Sequence, residues 1–298
     1  MATEDSSAKE GIAGYWFPVL ITESVVILII NAITIVAFAR IRHLRKRNTY
    51  LIINLTVADL LVGAVTGPLV VYLSYKDKEI NGFTWPGFII WTFEFTFVIA
   101  SQVNLFLISL ERLHATLFPF RHCFISECVY FKIIVGSWFI TFLLGSLMAG
   151  LYLKETNGGP YVWASFNVLT LLVIAVSYII IIVKVQRSPH SQHRGSANKE
   201  KKLSVTLLIV TGVSVLTILP SAIYNSIPVN LRGNLSNASR LREIHYALLL
   251  IYFASSIVNP LIYTIRMQEF RKALGNLVSK NKEPSRDLPL KPRAHAVP

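Results

Sequence analysis

Residues 161–186 read YVWASFNVLTLLVIAVSYIIIIVKVQ, with no charged side chain before Lys184. At roughly 1.5 Å per residue, the uncharged part alone rises about 30 Å as a helix, enough to cross the hydrocarbon core of a bilayer. Inside lipid only helices and closed barrels satisfy every backbone N–H and C=O, and a block this long is a helix. Six further blocks of the same kind lie at about 16–40, 50–75, 86–112, 129–153, 203–228 and 244–265. In chain order the blocks are spans one to seven, with 161–186 as span five. The sequence thus predicts an all-α membrane protein, a seven-transmembrane helix bundle over residues 16–266. Residues 1–15 are largely polar, with Glu4, Asp5 and Glu10, and read as an extracellular N-terminus. The apolar stretch that follows is too long for the core of a cleaved signal peptide and reads as a retained span. Residues 267–279 carry Phe270, Leu274 and Leu277 on one side of a short cytoplasmic amphipathic helix. Residues 280–298 are Pro- and Lys-rich and read as a disordered cytoplasmic tail.

Composition agrees. Of the 298 residues 53% are hydrophobic and 15% charged, against about 25% charged in a typical soluble domain. The net charge of +13 is not a nucleic-acid signature, because the basic residues sit between apolar blocks; the anionic lipids of an inner leaflet are their partners. The runs Arg40 to Arg47, Arg112 to Lys132, Lys184 to Lys202 and Arg266 to Arg293 all fall on one side of the predicted membrane. Basic residues mark the cytoplasmic side, so the N-terminus is expected outside and the tail inside, as in a multi-pass plasma-membrane protein. Sequons at Asn234 and Asn237 fall in a loop which this topology places outside. The two cysteines, Cys123 and Cys128, lie in one cytosolic loop, so no disulfide is expected; they read as reduced thiols, with reversible palmitoylation as the alternative.

A charge at mid-bilayer costs several kcal/mol, so intramembrane polar residues are informative. Asp59 lies well inside span two. Glu94, Val98, Ser101, Leu105, Ile108 and Arg112 step by three or four and share one face of span three. That face carries a carboxylate near one end, a hydroxyl at mid-depth and a guanidinium near the other. Span seven presents Tyr252, Ser256, Asn259 and Tyr263 in the same way. Taken alone, Ser101 and Ser256 read as polar glue between helices.

Asn31, the run Asn54 to Asp59, Glu111-Arg112-Leu113, Trp138, Tyr178, Pro220 and Asn259-Pro260-Leu-Ile-Tyr263 touch all seven spans in order. This set resembles the rhodopsin-like (class A) G-protein-coupled receptors. The resemblance implies a receptor, not an enzyme, that binds an extracellular ligand and activates a heterotrimeric G protein. It implies that Arg112, beside Glu111, pairs with an acidic residue when inactive, with Glu200 as that partner. It assigns Tyr178, Pro260 and Tyr263 to the switch, and Phe120, after Pro119, to G-protein docking. Asp59, Ser101 and Asn259 resemble the family's sodium pocket, so an allosteric sodium ion is the one cofactor expected. Glu94 stands where amine receptors hold their carboxylate, and Glu94, Val98, Asn225, Tyr252 and Phe253 are the candidate ligand contacts. An amine or basic peptide is the leading reading; a lipid or nucleoside is the alternative.

The departures from the pattern are specific. Glu111 replaces the usual Asp, and Leu113 the usual Tyr. Gly87 stands where a disulfide cysteine is usual, Thr170 where span five has proline, and Ile218 where span six has tryptophan. The missing cysteine and proline, with Arg266 to Lys272, resemble the adenosine, melanocortin and cannabinoid group. Competing readings do less well. A retinal Schiff base needs a lysine in span seven, and none lies between Ile244 and Ile265. A membrane zinc hydrolase needs clustered ligands, yet no histidine lies at mid-span. Nothing positive in the sequence points to a channel or transporter.

Overall fold

A computed structural model of the protein describes residues 2–40, 49–75, 84–154, 158–187, 194–227, 238–266 and 270–271. Among them the ordered elements are all helices. Span one is Ala2–Arg40. Span two runs from Tyr50–Leu61 through a π-helical turn, Val62–Thr66, into Gly67–Tyr75. Spans three to seven are Trp85–Leu117, Glu127–Leu153, Gly158–Arg187, Arg194–Ser226 and Ala238–Arg266. Over the described residues six of these helices are long and apolar enough to cross a membrane. The seventh, span six, has no charged side chain from Leu203 to Ser226.

Two helices run beyond the expected spans: that of span one begins at Ala2 and that of span six at Arg194, while the membrane-length apolar part of the first is Gly14–Arg40, against the expected 16–40. Hydropathy marks where a helix meets apolar solvent, but backbone bonding continues through good helix formers such as Lys199 to Lys202. The expected amphipathic helix 267–279 falls mostly outside the described residues; its Phe270 is buried, with its ring 5.4 Å from that of Phe38.

The bundle closes on itself. Span one packs on spans two and seven, seven on six, six on five, and span three touches spans two, four, five and six. Polarity is inverted relative to a soluble protein. Val25, Ile29, Ile33 and Val36 form an exposed apolar stripe on span one, while Asn31, Asp59, Ser101 and Asn259 are buried. Glycines set the closest approaches. A Cβ on Gly67 would stand 1.9 Å from Ser24 Oγ, and one on Gly145 2.3 Å from Thr96 Oγ1, so spans one and two, and three and four, meet nearly backbone to backbone. Pro68 stands two residues past the π-turn, after Gly67; the wider turn gives room for a ring that would otherwise press on the preceding carbonyls.

Candidate functional site

Asp59 is fully buried at the centre of the bundle, where three spans converge on its carboxylate. Ser101 Oγ donates to Oδ1 at 2.7 Å, Ser256 Oγ to Oδ1 at 2.9 Å, and Asn259 Nδ2 to Oδ2 at 2.7 Å. Span six joins through Ser214 Oγ, which donates to Asn259 Oδ1 at 3.0 Å. The three residues expected together are thus brought together. Ser101 and Ser256, which alone read as interhelical glue, both serve one buried carboxylate. Ser214 was not foreseen; its only trace in the sequence is a hydroxyl amid apolar residues. With one carboxylate and two hydroxyl oxygens in reach, and no cationic side chain bonded to Asp59 among the described residues, the donor set fits a hard monovalent cation. Among the described residues no group of three or more His, Cys, Asp or Glu gathers as a multi-ligand transition-metal site would require.

Proline shapes the same region. Pro260 has no N–H to give to the carbonyl four residues earlier, that of Ser256. Asn31 Nδ2 fills the vacancy from span one, donating to Ser256 O at 3.1 Å. This is a physical reason for an asparagine in span one opposite a proline in span seven. A second chain ties spans two, three and four: Trp138 Nε1 donates to Asn54 Oδ1 at 3.0 Å, and Asn54 Nδ2 to Asn104 Oδ1 at 2.6 Å. Asn104 too went unforeseen; it is an intramembrane amide three residues beyond Ser101.

At the other end of span three, Arg112 is only 2% exposed and its guanidinium forms a two-pronged pair with the adjacent Glu111. Glu111 Oε1 also accepts from Tyr130 OH at 3.3 Å and lies 3.3 Å from His122 Nε2. His122 Nδ1 is in turn 3.3 Å from His114 Nδ1. His122 and Tyr130 were missed because they come from the turn after span three and the start of span four, and sequence spacing gives no sign that they fold back. Arg112 is thus held by its neighbour Glu111; the expected partner, Glu200, has its side chain outside the described residues, as does Tyr263. Tyr178 OH lies 2.8 Å from Thr211 Oγ1, linking spans five and six. Phe120, in the short helix Pro119–Cys123, is 85% exposed, as a docking side chain requires. Cys123 and Cys128 are exposed and form no disulfide.

Toward the start of span three, Glu94 Oε2 is buried without a hydrogen-bond partner among the described residues. One turn on, Tyr252 OH donates to Val98 O at 3.3 Å, bringing span seven against this face; Tyr252 and Phe253 are both buried. Asn225 bonds within its own helix, donating to Ser221 Oγ at 3.1 Å. It is therefore not seen joined to the Glu94 face. Sequons Asn234 and Asn237 lie outside the described residues.

The described helices thus form a bundle with a buried carboxylate core, an acid-paired arginine at one end of span three and a carboxylate with an unsatisfied oxygen near the other. The family model "7 transmembrane receptor (rhodopsin family)" matches residues 30–160 and 160–263. The chain belongs to that family. It is 26% identical to the histamine H2 receptor of Homo sapiens over 276 residues, 83% of this chain and 74% of the relative. It is 25% identical to lysophosphatidic acid receptor 1-A of Xenopus laevis over 295 residues (90% and 76%), and 26% identical to lysophosphatidic acid receptor 1 of Ovis aries over 311 residues (94% and 75%). These relatives are receptors and not enzymes, and a multi-pass membrane receptor with G-protein and ligand partners follows from the family.

Proposed function

We propose that this receptor binds a cationic ligand, an amine or a basic peptide, on Glu94 and answers by opening the Arg112 end to a heterotrimeric G protein. The observation that carries the ligand reading is Glu94 Oε2, buried and without a partner. A buried carboxylate in that condition is costly, and a ligand ammonium would supply both charge and donors. Tyr252, whose hydroxyl goes to Val98 O, does not relieve it. Among the relatives, the human protein is named for histamine, an amine. A second reading, a lipid ligand, is favoured by the relatives named for lysophosphatidic acid.

The mechanism is a population shift. A ligand that binds one arrangement better moves the equilibrium toward it by that difference in affinity and no more. We place the N-terminus and the Glu94 end outside the plasma membrane and the Arg112 end in the cytosol. Sodium on Asp59, Ser101 and Ser256, beside Asn259, would hold the resting arrangement, and release of Arg112 from Glu111, and from Glu200 on span six, would free it for the G protein. The test is a screen of biogenic amines, basic peptides and lysophospholipids on cells expressing the receptor. An amine or basic-peptide agonist that loses at least about tenfold in potency on Glu94→Gln, at equal surface expression, supports the proposal. An uncharged or lysophospholipid agonist with unchanged potency on that variant refutes it.

A further inference from the structure

Spans one and seven leave a groove of about 630 Å³ between them on the outer face of the bundle. Val19, Val26, Leu250, Ala254 and Ile257 make it apolar, and one acidic side chain, Glu23, stands in its wall. Val26 and Ile251 beside it are 38% and 41% exposed, so the groove opens to the membrane and not to the interior. The two spans are tied on either side of it. Trp16 and Phe17 pack on Tyr246 at one end, with ring centroids 6.2 and 6.1 Å apart, and the Asn31–Ser256 bond ties the two spans at the other. Interfacial aromatics mark the boundary between hydrocarbon and headgroups, so Glu23 lies below it, roughly 10 Å down at 1.5 Å per residue from Trp16.

Among the described residues Glu23 Oε2 is buried and has no hydrogen-bond partner. The nearest hydroxyl on the same helix is already used: Thr22 Oγ1 donates to Pro18 O at 2.7 Å. An acidic side chain at that depth costs several kcal/mol and calls for a complement. Apart from Thr22, whose hydroxyl is spent on Pro18 O, the rest of the wall is apolar, so an occupant must be apolar along its body and cationic at one point. An anionic head would be repelled, and a hydroxyl would leave the charge unanswered, whereas an ammonium brings charge and up to three donors.

We propose that this groove binds a single-chain membrane amphiphile with an ammonium head, the head on Glu23 and the chain along Val26, Ala254 and Ile257. The site is separate from Glu94, which lies on span three, and the inference stands whatever ligand Glu94 takes. Because the occupant would sit directly beside the Asn31–Ser256 joint, it is placed to bias span seven, to the extent that it prefers one arrangement.

The test uses the full chain in nanodiscs of zwitterionic lipid. A photoreactive octadecylamine is compared with the matching octadecanol and octadecanoic acid, and labelled peptides are mapped by mass spectrometry. The amine should label spans one and seven saturably, at least about tenfold better than the alcohol or the acid, since an unscreened charge pair in low dielectric is at stake. Glu23→Gln should reduce amine labelling to the level of the alcohol. Ala254→Phe, which fills the groove and keeps the carboxylate, should remove it too, both variants being checked by melting and monodispersity. Equal labelling by amine and alcohol, or amine labelling that survives Glu23→Gln in a folded receptor, overturns the proposal. So does cross-linking of span one to span one in a second copy that shuts the amine out.

Discussion

Asn31→Ala should weaken the bundle through a single carbonyl. Asn31 Nδ2 makes two bonds, to Ile27 O at 2.9 Å and to Ser256 O at 3.1 Å. The first goes to a carbonyl that span one's own helical bonding already serves, so its loss is minor. The second answers a carbonyl which Pro260 has deprived of its helical donor, and Ser256 is 2% exposed. Removing the amide leaves that oxygen buried and unanswered, at a cost of about 1–3 kcal/mol. With about 2–4 °C lost per kcal/mol in a domain this large, the melting midpoint should fall by roughly 2–12 °C. Purified receptor in nanodiscs, followed by tryptophan fluorescence at one fixed scan rate, gives the comparison without assuming reversibility. The specific prediction is non-additivity. Pro260→Ala restores an N–H to Ser256 O, so in that background Asn31→Ala should cost less by about 1–2 kcal/mol. Equal drops in both backgrounds would refute the assignment of Asn31 to the proline vacancy.

Sodium, compared with choline at equal ionic strength, should raise the melting midpoint of the wild type, and Asp59→Asn should abolish the difference; a wild type indifferent to sodium would mean that the pocket holds none. Gly67→Ala should destabilise by about 1–3 kcal/mol through overpacking against Ser24, and Ser24→Gly should recover most of it in the same melting assay. Glycosidase treatment should shift the wild type on a gel but not the double variant Asn234→Gln/Asn237→Gln, while a tag after Pro298 should stain only in permeabilised cells.

The bundle was legible because lipid enforces a simple code: long uncharged blocks, basic residues on one side, and a few buried polar groups that need partners. Asp59, Ser101 and Asn259 could be placed at one depth by counting residues along helices, and the structure joins them. Counting along one helix fails where partners come from elsewhere. His122 and Tyr130 reach Glu111 only because the chain turns at Phe118 and folds span four back on span three. Ser214 and Asn104 are small polar residues whose importance appears only once the helix facing each is known. The extension of the first helix to Ala2, beyond its apolar span, left no trace in the hydropathy pattern, because polarity reports the solvent around a helix and not where its hydrogen bonding begins.

The central claim is that this bundle activates a G protein through Arg112, and it can be tested before any ligand is known. Glu111 engages Arg112, Tyr130 and His122 together, so Glu111→Gln removes the charge that holds the guanidinium while keeping the shape. Basal dissociation of heterotrimers should be followed by energy transfer in cells carrying a panel of Gα subunits, at matched surface expression. The account predicts raised basal dissociation of at least one heterotrimer for Glu111→Gln over wild type, and its loss when Arg112→Ala is added. No response from any heterotrimer, or a rise that persists without Arg112, would contradict it.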